Sequence, residues 1–80
     1  MVGQIVISKA GRDKGCLLVT VGETEKAFLV CDGKKRPLER PKTKSKRHVA
    51  VTNTLLGEQQ ISTNKSIRRA LAALRDTADY

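Results

Sequence analysis

The sequence predicts a mostly β fold, a small barrel of about five strands followed by a C-terminal α-helix. Three observations lead there. Five short runs rich in β-branched and apolar residues, separated by turn residues, crowd into the first 52 positions. After residue 63 the apolar period changes from two to that of a helix. The chain has 80 residues, of which 39% are hydrophobic, so it has the apolar content for one small core, and a multi-domain enzyme is not expected.

Residues 3–8 (GQIVIS) form the first predicted strand, bounded by Lys9, Ala10 and Gly11. Residues 16–21 (CLLVTV) and 26–31 (KAFLVC) flank the polar residues 22–25 and predict an antiparallel hairpin. With Glu23 and Thr24 as the turn, Cys16 falls opposite Cys31. Asp32-Gly33 tolerates positive φ and marks a tight turn, which predicts a short fourth strand over residues 34–38. Pro37 puts that strand at an edge. Residues 47–52 (RHVAVT) make the fifth strand, and residues 53–63 read as a linker. Ile67, Ala70, Leu71, Leu74 and Ala78 share one side of a helical wheel, so residues 65–77 predict an amphipathic helix with Asn64 or Thr63 as its cap. A helix of this length is marginal alone in water, so it must pack on something. The preferred place is one end of the barrel; a helix offered to a protein partner is the other reading, and Arg68 and Arg75 on its flank could meet phosphate. The domain plan is therefore a barrel over residues 1–52, a linker over 53–63 and a closing helix over 64–78.

Charge is distributed unevenly. The formal net charge is +8, yet Lys34, Lys35, Arg36, Arg40, Lys42, Lys44, Lys46 and Arg47 are eight cations within residues 34–47, opposed only by Glu39. The local balance is +7, and the remainder of the chain is close to neutral at +1. A concentrated charge of this kind points to an acidic partner. The plain alternative is a solvated, mobile charge run. Pro37, Leu38 and Pro41 interrupt the run, and a strand pattern resumes at His48, which argues for a folded site.

Composition excludes several classes. Phe28 and Tyr80 are the only aromatics, too few for base-stacking sheets, aromatic cages or the aromatic-lined grooves that read proline-rich peptides. Cys16, Cys31 and His48 match no zinc-ligand spacing, so no metal or other cofactor is expected. His48 lacks a nucleophile partner, no phosphate-cradling G-x-x-x-x-G-K loop occurs, and an enzyme is not expected. No apolar run exceeds five residues, which predicts no membrane span and no leader, and a cytoplasmic protein whose thiols stay reduced.

From Ile5 to Cys31 the order is a strand, the loop Lys9-Ala10-Gly11-Arg12-Asp13-Lys14-Gly15, then apolar alternation through Leu17, Val19 and Val21 to Phe28. This resembles a KOW motif, with Gly15 where that motif carries its glycine. The later segments Asp32-Gly33-Lys34-Lys35-Arg36, Pro41-Lys42-Thr43-Lys44 and Lys46-Arg47-His48, and the closing Thr63 to Leu71 stretch, resemble small bacterial KOW-domain RNA-binding proteins. Those are grouped with KOW-bearing eukaryotic-type proteins of the large ribosomal subunit. The resemblance covers nearly the whole chain. It implies an SH3-like barrel and an RNA-binding accessory role at ribosomes or in translation, with Lys9, Arg12, Lys14 and Gly15 against RNA. Transcription-elongation proteins of the same family also contact protein. The alternative is therefore an SH3-like interaction barrel that docks on an acidic surface of the transcription or translation machinery.

If residues 42–46 are extended, Lys42, Lys44 and Lys46 lie on one side about 6.6 Å apart, a ladder suited to phosphates. Thr43, Ser45 and Arg47 occupy the other side, able to donate to phosphate or ribose hydroxyls. Lys34, Lys35, Arg36 and Arg40 precede the ladder, and His48 can contact phosphate or stack. About five neutralised phosphates give a log-log salt slope near −3.5 for single strands and −4.5 for duplex DNA. Contacts of this kind read shape more than sequence, so structured RNA, ribosomal RNA above all, is the expected partner of a monomer. The sequence leaves open whether the Lys9 to Gly15 loop and the 34–47 segment share a face.

Overall fold

A computed structural model describes residues 2–77. Five strands, β1 (Gln4–Ser8), β2 (Leu17–Glu23), β3 (Ala27–Cys31), β4 (Lys42–Ser45) and β5 (Val49–Leu55), precede one helix, α1 (Asn64–Thr77). The strands form one antiparallel sheet in the order β4-β3-β2-β1-β5. The fold is mostly β, and the sheet is barrel-like without closing, since β4 and β5 remain its two edges.

Strand alternation creates two apolar layers. Val6, Leu18, Phe28, Val30 and Val49 cluster on one side of the sheet. Ile5, Leu17, Val19 and Cys31 point the other way and meet Leu56, Ile67 and Leu71. The helix thus packs on a face of the sheet, where the sequence favoured an end of the barrel. Full burial of Ile67 and near-full burial of Leu71 stabilise that contact by roughly 1.5–3 kcal/mol each. Thr63 provides the cap, its Oγ1 accepting from Ser66 N at 3.0 Å. Ala78, the last member of the expected stripe, lies outside the described residues.

Four details differ from the sequence expectation. The β2–β3 turn is Glu25-Lys26, closed by Thr24 N donating to Ala27 O at 2.8 Å and by Ala27 N donating to Thr24 Oγ1 at 3.1 Å. A later turn and a bulge between Thr20 and Gly22 shift the register, so Cys31 pairs with Val19, and Cys16 is exposed ahead of β2. The fourth strand is not at residues 34–38. Asp32 Oδ1 accepts from the Lys34 and Arg36 amides, both at 2.9 Å, and Arg36 O accepts from Asp32 N and Gly33 N. Those groups are used up inside the turn, and Pro37 has no N–H to offer, so no ladder can start there. The strand forms instead at Lys42–Ser45, after Pro41.

The fifth strand also starts later than expected, at Val49, because Lys46–His48 form a single 3-10 turn between the two edge strands. It runs to Leu55, into the expected linker, and a second 3-10 turn follows at Glu58–Ile61. A bulge opposite Ile5 accommodates the extra length: the Gln4 side-chain amide donates to Thr52 O and Thr54 O, and Thr52 Oγ1 donates to Ile5 O at 2.8 Å. Among the described residues no helix is long and apolar enough to cross a membrane.

Candidate functional site

The Ser8 to Cys16 connection is built around Asp13. Its Oδ1 accepts from Ser8 Oγ at 2.8 Å and from the Lys44 ammonium at 2.7 Å. Lys44 Nζ also donates to Ala10 O at 2.8 Å, and only 6% of its side chain is exposed. Burial alone would raise the Asp13 pKa, but the hydrogen bonds from Lys44 and Ser8 and the charges of Lys44 and Lys42 hold it below its ordinary value. The loop ends at Gly15, whose φ of 87° only glycine adopts readily and whose N–H donates to Ser8 O at 2.8 Å. A Cβ there would face open space, so the glycine serves backbone shape at a surface left bare.

This pinning decides where the cations go. The two segments do share a face: Arg12 from the loop, Lys35 and Arg36 from the turn after β3, and Lys42 from β4 line one groove of about 280 Å³. Leu18 and the exposed Cys16 contribute apolar lining, and Asp13 and Asp32 stand among the cations. Lys35 and Arg36 also border a second depression with Lys34, Pro37 and Arg40. Lys42 borders a third with Gly11, Thr43 and His48. Shared residues thus join three depressions into one basic track from Arg40 to His48.

The expected ladder takes a different form. Lys42 lines the groove, whereas the Lys44 ammonium turns inward to Asp13 and leaves only the edge of its side chain at the third depression. Lys46 pairs with Glu23 at 2.8 Å and sits 5.1 Å from the centre of the Phe28 ring. That contact, first through its hydrogen bond, lowers the pKa of the Glu23 carboxyl. Lys46 and Arg47 line a separate depression with Glu25 and Lys26. Lys9 and Lys14 are exposed and border none of these depressions; the Lys9 amide donates to His48 O at 2.8 Å, tying the loop start to the end of the 3-10 turn.

Sequence reading missed the residues that hold the cations in place. Asp13 is one, since nothing in its neighbours marks it as the counter-charge to a lysine 31 positions away. Asn64 and Arg68 are others: Asn64 Oδ1 accepts from Leu38 N at 2.8 Å, and Arg68 donates to Gly33 O at 2.7 Å. Arg68 was readable from sequence only as a cation, so its use as a backbone donor was hidden. Among the described residues no cluster of His, Cys, Asp and Glu could hold a metal ion. No family model matches the sequence. No curated protein matches it either.

Proposed function

We propose that this chain is an RNA-binding accessory protein of ribosomes or of translation, working as a cytoplasmic monomer and catalysing no reaction. It contacts structured RNA, ribosomal RNA above all, mainly through phosphates. The observation that carries the reading is the groove itself. Arg12, Lys35, Arg36 and Lys42 come from three separate segments and converge on one depression, and the adjoining depressions extend the positive surface in both directions. Folding sets these four cations against two carboxylates, Asp13 and Asp32, and the positive charge left over favours an anion there. A shallow track of guanidinium and ammonium donors suits a phosphate backbone, and the low aromatic content leaves little means of stacking bases. The positive φ of Gly15 in a bare loop is compatible with the KOW resemblance.

Equilibrium binding of the full chain to purified ribosomal RNA, repeated across a salt series and in competition with polyglutamate, tests the proposal. Four phosphates held in the groove contribute a slope near −2.8 for single strands, or −3.6 by the duplex calibration. Steep salt dependence with RNA outcompeting polyglutamate of equal charge is the expected result. Equal competition by polyglutamate would move the assignment to an acidic protein surface, and salt-insensitive or absent RNA binding would overturn it.

A further inference from the structure

The basic turn between β3 and β4 does not stand alone. Lys34, Lys35 and Arg36 sit on a turn that contains no strand pairing, next to Pro37 and Arg40, and mutual repulsion favours its opening. Contacts with the first two turns of α1 oppose that. Arg68 Nη1 donates to Gly33 O at 2.7 Å. Asn64 Oδ1 accepts from Leu38 N at 2.8 Å, and its Nδ2 donates to the Glu39 carboxylate at 3.0 Å. Leu38 packs against the cluster that contains Ile67 and Leu71. Gly33 lies so close to the helix that a Cβ would overlap Asn64 O and press on Arg68 Cγ.

Two features show that these contacts serve the turn more than the helix. Thr63 caps α1, so the Asn64 side chain is not needed at the helix end and both of its polar atoms go to the 38–39 backbone and carboxylate. Arg68 brings a further cation beside Lys34, Lys35 and Arg36, an arrangement that charge alone disfavours and that its backbone hydrogen bond to Gly33 compensates.

We propose that Asn64 and Arg68 are positioning residues: the first two turns of α1 act as a clamp that holds the 33–39 turn in the one shape that presents Lys35 and Arg36 to the groove. Neither residue meets the ligand. The identity of that ligand as RNA rests on the function proposed above, whereas the clamp is a property of the chain by itself. A clamp acts on the fraction of molecules with a competent groove, and apparent affinity falls in proportion to that fraction. The number of phosphates neutralised in the bound state stays the same, so the salt slope is unaffected.

The test compares Arg68→Ala, Arg68→Lys and Arg75→Ala in the full chain, by amide hydrogen exchange and by salt-dependent binding to ribosomal RNA. Arg75 carries the same charge on the same helix and is exposed, two turns from the clamp. Expected for Arg68→Ala is faster exchange at the Lys34, Arg36 and Leu38 amides with the β1–β2 amides unchanged. Its affinity falls about tenfold at an unchanged slope, Arg68→Lys restores much of the loss, and Arg75→Ala stays near the native affinity. A slope shallower by about 0.7–0.9 in Arg68→Ala would mean that Arg68 itself touches phosphate, and would overturn the positioning role. Equal losses in Arg68→Ala and Arg75→Ala, or unchanged exchange at the turn, would overturn the clamp. If Asn64→Ala, made as a second variant, leaves the Leu38 amide protected, its share of the clamp is refuted. Native protein that binds no RNA would refute the proposed function while the exchange data still decide the clamp.

Discussion

The ammonium of Lys44 lies 2.7 Å from Asp13 Oδ1, a contact that joins β4 to the connection between β1 and β2 across 31 positions of sequence. It turns a lysine of the most basic segment inward, and it gives the Ser8 to Cys16 loop its shape by drawing in Ala10 O and Ser8 Oγ as well. The cations left at the surface are thereby sorted into those that line the groove and those that flank it.

Lys44 and Lys42, two positions apart, should respond in opposite ways to loss of charge. Lys44→Ala leaves a largely buried carboxylate without its counter-ion and destabilises the fold by up to about 3 kcal/mol. Lys42→Ala changes stability little but reduces the RNA salt slope by about 0.7–0.9. Urea denaturation and a salt titration on both variants check the pair. A large slope change for Lys44→Ala with intact stability would contradict the inward placement.

Acid should weaken the fold through Asp13. Its folded pKa lies below the model-peptide value of 3.8, so the ionised form is favoured by the native state. The resulting stability is fully present above the unfolded pKa and is lost as pH falls through the folded one. Unfolding free energy measured from pH 6 to pH 2 should be flat at first and then decline below about pH 4. Asp13→Asn, though less stable at neutral pH, should show a shallower acid decline.

The two thiols should behave as unlike groups. Cys16 is exposed and Cys31 fully buried, with burial, then the charges of Asp32 and Glu39, raising the Cys31 pKa to about 11. A thiol reagent should label one cysteine rapidly in the native chain and the second only after unfolding. Above the ordinary thiol range the unfolded state ionises first, so stability falls as pH rises from about 9 towards 11, and Cys31→Ala removes that decline. Rapid labelling of both thiols in the folded chain would contradict the placement of Cys31.

How much of this was legible beforehand differs by element. β1, β2, β3 and α1 were readable because Val6, Leu18 and Val30 on one face and Ile5, Val19 and Cys31 on the other obey a simple alternation, and Ile67 and Leu71 obey the helical period. The fourth strand was misplaced because Asp32-Gly33 was read as a hairpin turn. Its side chain instead takes the amides of Lys34 and Arg36, a local alternative that an Asp offers to a hairpin turn. Cys16 and Cys31 were expected opposite each other because the Glu25-Lys26 turn carries no strong turn chemistry and Thr24 sets it by a side-chain bond. For the site, the cations themselves were visible in the charge count. Their sorting was not, because the partners of Lys44 and Lys46 are carboxylates distant in sequence, Asp13 and Glu23.

Glycine substitutions separate backbone shape from packing. Gly15→Ala meets nothing within 4 Å and pays only for its positive φ, about 1–2 kcal/mol. Gly33→Ala incurs that strain and also overlaps Asn64 O at the base of the clamp, so it should be the more destabilising and should lower RNA affinity as well. Thermal denaturation of the two variants ranks them. Equal losses would show that the turn can move away from α1 freely.

The most direct measurement is the salt dependence of ribosomal RNA binding by the native chain beside a variant in which Arg12, Lys35, Arg36 and Lys42 are all Ala, with Lys26 and Arg47 left in place. If the groove receives the phosphates, affinity falls and the single-strand slope becomes shallower by about 2.8, leaving close to one phosphate's worth of the native dependence. An unchanged slope in a folded variant would place the contacts elsewhere and contradict the account.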